Sequence, residues 1–225
     1  MKLCKMLREK DVGSTGIGAM IVFIAVVLVA GIAASVLIQT SMRLETQAMA
    51  SGQQTIGEVS GGIAVFDVVG KKNTTGAEDL QYLAVTVRAR AGSPNIDLNH
   101  TVVMMSDETE KVLLTYAGDE DDTHYEDGTA SGDLFATDTW NTLTHAQFGV
   151  IVLEDGDDSC QQMSPVINSG DKVVLTIQCG ATGCFAGELA ERTNVYGQII
   201  PEIGSPGIIS FTTPASYTDT VFDLQ

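Results

Sequence analysis

The sequence predicts an α+β chain: a long N-terminal hydrophobic α-helix followed by an all-β sandwich domain. Two observations carry this. The 29 residues from Ser14 to Met42 include no charge, and at ~1.5 Å per residue they make a helix of about 43 Å, more than the roughly 30 Å of hydrocarbon in a bilayer. Beyond residue 80 the apolar residues instead alternate within short segments bounded by Gly, Pro, Asn and Asp, which is the period of half-buried strands.

The head, Met1 to Gly13, sets Lys2, Lys5, Arg8 and Lys10 against Glu9 and Asp11. Positive charge stays on the cytoplasmic side of a membrane, so the residues after the helix belong outside. A basic head with an apolar run fits three fates. It can be a removable secretory signal cut near Gly31-Ile32-Ala33, a plain anchor, or a signal cut on its cytoplasmic side that leaves the helix on the product. The run extends past that site through Ser35 to Met42, too long for a secretory core of about 7 to 15 residues.

Charge returns at Arg43 and Glu45, yet apolar residues recur at Met42, Met49, Ile56 and Ile63, with Val59 and Phe66 between. Seven-residue spacing marks a seam between helices. Gly52, Gly57, Gly61 and Gly62 weaken an isolated helix but let neighbouring backbones approach closely, which favours a bundle of identical copies. A flexible linker starting near Gly52 is the competing reading. The expected division is a leader over 1–13, a hydrophobic assembly helix over 14–69 and an outer β-domain over 70–225.

In Leu83 to Arg90, residues Leu83, Val85, Val87 and Ala89 share one face, and Thr86, Arg88 and Arg90 the other. Further strands are expected at Thr101 to Met105, Val112 to Tyr116, Phe148 to Leu153, Lys172 to Gln178, Val195 to Ile200 and Ile208 to Thr212. Short strands punctuated by turn residues point to an immunoglobulin-like β-sandwich. The acidic stretch from Gly118 to Gly128, continuing to Trp140, reads as an exposed loop. Trp140, Tyr116, Tyr125 and Phe148 are expected as core or loop anchors.

Lys10-Asp-Val-Gly13 and the run Ser14-Thr-Gly-Ile-Gly-Ala-Met-Ile-Val-Phe that continues to Ile38 closely resemble the type IV pilin-like start of archaeal flagellins (archaellins). Asn168 to Leu175 and Gly204 to Tyr217 are also similar to that family. The resemblance implies a prepilin-type signal peptidase cutting between Gly13 and Ser14. It implies a precursor held in the membrane, then a helical homopolymer, alone or with other flagellin subunits. Further implied partners are a motor and membrane platform, and the implied place is the archaeal flagellum on the cell surface, serving swimming motility. An adhesive type IV-like pilin or a membrane-anchored surface binding protein shares the same N-terminal logic.

The chain carries 12 basic and 29 acidic residues; losing the head leaves 8 against 27, a charge of −19. Such a domain repels nucleic acid and anionic lipid. Asn73-Thr-Thr75 and Asn99-His-Thr101 fit the N-glycosylation pattern, which requires an outside location, and the archaellin resemblance adds to the expectation. Cys4 lies in the head and would be lost with it; the remaining Cys160, Cys179 and Cys184 allow one disulfide with one thiol left over, and three pairings are open. Asp119, Asp121 and Asp122, with Glu120, Glu126 and Asp127, are one candidate set for a hard cation such as Ca²⁺, and Glu154, Asp155, Asp157 and Asp158 are another. A solvated acidic loop is the plainer reading. His100, His124 and His145 are scattered, and no nucleophile elbow, zinc-binding helix or phosphate loop occurs, so neither an enzyme nor a required cofactor is expected.

Overall fold

The computed structural model describes residues 2–73, 79–118, 124–128, 132–140, 143–180, 184–185, 187 and 189–225, with 2–14 as backbone alone. Helix α1 spans Lys2–Ser60, about 88 Å at 1.5 Å per residue. The strands are β1 (Ile63–Lys72), β2 (Leu80–Ala89), β3 (Ile96–Asp97), β4 (Val102–Ser106), β5 (Lys111–Tyr116), β6 (Tyr125–Asp127), β7 (Gln147–Glu154), β8 (Cys160–Gln161), β9 (Ser164–Ile167), β10 (Lys172–Gln178), β11 (Asn194–Ile200), β12 (Gly207–Thr212) and β13 (Val221–Asp223). The chain divides into two compact units, Met1–Gln54 and Thr55–Gln225.

In the first unit the apolar residues surround the helix instead of forming a stripe, and residues 15–54 are exposed. Two hydroxyls in or just after the uncharged run satisfy themselves against the helix. Thr40 Oγ1 donates to the Leu37 carbonyl at 2.9 Å, and Thr46 Oγ1 to the Met42 and Arg43 carbonyls at 3.1 and 2.9 Å. That local bonding leaves both hydroxyls satisfied without water.

The second unit opens with a correction. The helix expected to reach Val69 ends at Ser60, and Ile63–Lys72 is a strand. Gly61 and Gly62 stop it, Gly62 adopting φ +139°. Their backbone is gripped from far along the chain: Ser205 N–H donates to the Gly61 carbonyl at 2.9 Å, and Ile63 N–H to the Ser205 carbonyl at 3.2 Å. After the stop, β-branched Ile63, Val65, Val68 and Val69 favour a strand.

One large sheet runs β12-β11-β4-β5-β7-β10-β2-β1-β13, with β6 beside β7, and β3-β9-β8 form a small second sheet. The large sheet is antiparallel except where β7 lies parallel to β5 and β6. It curls until β1 packs against β12, so one sheet supplies both layers of the core. Leu83, Val85 and Val87 meet Val173, Leu175, Ile177 and Val150 from one half, and Val103, Leu114, Val195 and Ile199 from the other, in a single buried cluster. Each such side chain contributes roughly 1.5–3 kcal/mol.

The central strands are covered on their second face as well. Ala84, Ile151 and Val174 lie under Trp140, which stands edge-on to Tyr82 at 5.4 Å, tilts over Phe135 at 5.1 Å and donates from Nε1 to the Leu134 carbonyl at 3.0 Å. Trp140 thus anchors the loop before β7. At the edge of the large sheet, Gln225 Oε1 accepts from Ser210 N–H at 2.8 Å and its Nε2 donates to the Ile208 carbonyl at 3.5 Å.

Candidate assembly surface and neighbouring sites

The largest unspent interaction capacity lies on α1. Between Ile17 and Val59 its large apolar side chains are exposed, from Ile24 at 51% to Val59 at 76%. Gly16, Gly18, Gly31 and Gly52 have open space where a Cβ would stand. A helix that is apolar all round is stable in hydrocarbon or in a bundle, not in water. By length and composition the stretch Thr15–Ser60 is able to cross a membrane. Gly13 and Ser14 both lie within α1.

Asn73 follows β1, and its N–H donates to the Asp79 carbonyl at 3.0 Å; the two threonines after it lie outside the described residues. Asn99 is exposed in a short 3₁₀ turn, Leu98–His100, where its N–H is capped by Asp97 Oδ1 at 2.8 Å. The threonine of the same pattern, Thr101, is 1% exposed and donates its hydroxyl to the Asp97 carbonyl at 2.9 Å.

The sulfur atoms of Cys179 and Cys184 lie 3.3 Å apart in the interior. Cys160 sits elsewhere, in β8, where its carbonyl accepts from the Tyr125 hydroxyl and its N–H donates to Asp155 Oδ2 at 2.9 Å. Burial, and then the carboxylates of Asp155, Asp171 and Asp127, push the Cys160 thiol up to about 12. Burial likewise raises Tyr125 to about 12.

Asp119, Asp121 and Asp122 lie outside the described residues. The second acidic set is gathered only in part. Asp155 and Asp157 come together with Asp171, their carboxylate oxygens within 4.8 Å of one another. Glu154 is engaged instead by Lys172 Nζ at 2.6 Å. Asp155 accepts from the N–H groups of Asp157, Ser159 and Cys160. Burial raises its carboxyl, but these donors outweigh that and hold it below the ordinary 3.8. Asp171, 3% exposed, accepts from Asn168 N–H at 2.8 Å, and Asn168 Nδ2 donates to Asp157 Oδ2 at 2.8 Å.

Asp171 was not singled out from the sequence. Its signal is the Asn168-Ser-Gly-Asp171 turn, in which Gly170 adopts φ +119°, and this turn opens one of the two archaellin-like C-terminal segments. The other opens at Gly204, where a Cβ would meet Gly61 and Gly62 backbone at 2.5–2.7 Å.

A family model described as archaeal-type flagellin matches residues 13–211. Flagellin B2 of Methanocaldococcus jannaschii is 42% identical over the whole of both chains. Flagellin B3 of Thermococcus kodakarensis is 34% identical over 96% of this chain and 98% of its own. The crystal structure of flagellin FlaB1 from Methanocaldococcus jannaschii superposes with a TM-score of 0.63 at 32% identity, covering 73% of this chain and 97% of that one. The archaeal flagellum of Methanospirillum hungatei strain JF1 shares the fold, with a TM-score of 0.59 at 15% identity over 93% of this chain and 98% of that one. With the family model spanning most of the sequence and full-length relatives at 42% and 34% identity, the chain belongs to the archaeal-type flagellin family.

Proposed function

We propose that this filament subunit of the archaeal flagellum is made as a membrane-held precursor, cut between Gly13 and Ser14 by a prepilin-type peptidase, and polymerised through α1 as the propeller of a swimming cell. The observation that carries this is the all-round exposure of the apolar residues of α1. Lipid covers them first and identical helices afterwards. The 14 large apolar side chains from Ile17 to Ile38, at roughly 1.5–3 kcal/mol each against water, supply several tens of kcal/mol that oppose loss of a subunit into solution. Lys2, Lys5, Arg8 and Lys10 cannot enter such a core cheaply, which gives the cut its purpose.

A motor and membrane platform would turn the filament, and the β-domain would face solvent. Asn73 and Asn99 are the proposed glycan acceptors. Because Thr101 is buried in the folded domain, modification at Asn99 would precede folding. A hard cation such as Ca²⁺ is the ligand class suited to the oxygens of Asp155, Asp157 and Asp171, and a rise in melting temperature on adding Ca²⁺ to chelator-treated filaments is its test.

The deciding experiment is intact mass and N-terminal sequencing of protein sheared from the cell surface. A start at Ser14 is expected, with added mass on peptides holding Asn73 or Asn99. A start near Ala34, or an intact Met1, would overturn the processing scheme. Gly13→Val is expected to leave unprocessed precursor in the membrane. A deletion strain that swims normally but fails to adhere would replace the propeller with the adhesive pilin.

A further inference from the structure

The spacing of Cys160, Cys179 and Cys184 left three disulfide pairings open; the fold separates them. Cys179 follows directly on β10, and its N–H donates to the Gln81 carbonyl of β2 at 2.6 Å. Cys184 N–H donates to the Gln178 carbonyl at 2.7 Å. Each cysteine backbone is therefore pinned to the sheet, and their sulfurs, 0% and 3% exposed by residue, stand 3.3 Å apart. Bringing that 3.3 Å to the roughly 2.05 Å of a bond needs a shift of about 1.2 Å shared by two side chains. Cys160 lies among Tyr116, Tyr125 and Asp155, in a strand that pairs with β9.

We propose that Cys179 and Cys184 form an intramolecular disulfide in the exported subunit and that Cys160 stays a thiol. The reaction is two-step thiol–disulfide exchange with an external disulfide. One thiolate, its proton lost to water, attacks the external disulfide and releases one thiolate from it. The second cysteine, also deprotonated, then displaces the other half, so the new bond is balanced by two external thiols. The filament's place on the cell surface is the compartment in which such a bond persists. Burial of Cys179 and Cys184, which raises the Cys179 thiol, makes exchange slow once the domain has folded. The bond therefore forms before the core closes, after the chain has crossed the membrane.

The linkage would close a short loop that leads back to β2. After Cys184 the chain runs through buried Phe185 to Leu189, which exchanges two 3.1 Å hydrogen bonds with Leu80 at the start of β2, and Tyr217 Oη donates to the Leu189 carbonyl at 2.9 Å. A covalent tie at Cys179 fixes the other end of this return path to β10.

The test is peptide mapping of sheared filaments denatured in iodoacetamide, with and without prior reduction. Without reductant the label is expected on Cys160 alone, and the peptide holding Cys179 and Cys184 should lack two hydrogens; after reduction all three carry label. Label on Cys179 and Cys184 without reduction, or a cross-linked peptide containing Cys160, would overturn the proposal. The wild-type chain suffices, so misfolding of a variant cannot obscure the answer; label on Cys4, which an uncut leader would add, reports on the leader alone and leaves the reading of the other three unchanged. In a second measurement, reductant is expected to lower the melting temperature of wild type but not of the double variant Cys179→Ser, Cys184→Ser; equal shifts would count against the bond.

Discussion

Gly62→Ala tests the joint between α1 and the sheet. A Cβ at this position would stand 2.3, 2.7 and 3.0 Å from the carbonyl oxygen, nitrogen and carbonyl carbon of Ser205, all backbone atoms, and φ there is +139°. Holding an L side chain in that region costs about 1–3 kcal/mol, and displacing the backbone it strikes adds about 1–3 kcal/mol. A loss of about 4 kcal/mol lowers the melting temperature of a domain spanning Thr55–Gln225 by roughly 8–16 °C. Two other glycines separate the causes. Gly128 has φ +80° with nothing within 4 Å of its Cβ position, so Gly128→Ala carries backbone strain alone, about 1–2 kcal/mol. Gly156 has neither strain nor a neighbour, and Gly156→Ala should leave the melt unchanged. The assay is thermal unfolding of the full chain from detergent-dissociated filaments, followed by near-ultraviolet circular dichroism. If Gly62→Ala melts no lower than Gly128→Ala, the grip of Ser205 on the glycine pair is not what ends the helix.

Leu28→Asp places a carboxylate on the exposed apolar helix at a cost of several kcal/mol once water is removed. Precursor should be made while filaments vanish from the sheared fraction, and wild-type filament yield would refute assembly through α1. Trp140→Ala removes the cover over Ala84, Ile151 and Val174 and should cost about 3–5 kcal/mol; a urea midpoint close to wild type would show that the loop is held by other contacts. Asp155 is held below its ordinary 3.8, so its contribution is complete above that value and fades as the pH falls through the lower folded value. Asp155→Asn should therefore be less stable than wild type at neutral pH, with the difference shrinking in acid. A difference that stays constant with pH would mean that the Asp155 charge does not act through its N–H donors.

The seven predicted strands are all present because each is long enough to show itself: Leu83, Val85 and Val87 alternate with Thr86 and Arg88, while β7 and β10, buried on both faces, read as continuous apolar runs. Strands β3, β6, β8 and β13 have two or three residues each, too few to carry a pattern. The helix end was misread for a different reason. Ile56 and Ile63 keep the seven-residue spacing while the structure changes beneath them, and Phe66, at the bulge in β1, stays exposed under the Arg88 guanidinium. Gly61 and Gly62 set the boundary, and the Ser205 backbone that holds them lies far along the chain, where no local window includes it. The same holds for Asp171, brought to Asp155 and Asp157 by the fold and not by spacing. The apolar assembly surface was legible because it depends on composition alone.

Gln225, whose carbonyl accepts from Val68 N–H of β1 while its side chain bonds β12, bears on how a polymer of identical copies keeps its order. Crowded β-domains have two ways to recognise one another, through helices or by lending strands to each other's sheets. The second is indifferent to symmetry and ends in tangles. By occupying the amide of Ser210 and the carbonyl of Ile208 with its own amide, Gln225 removes the vacancy that a foreign strand would fill. That flank of the sheet is thus closed from within the chain.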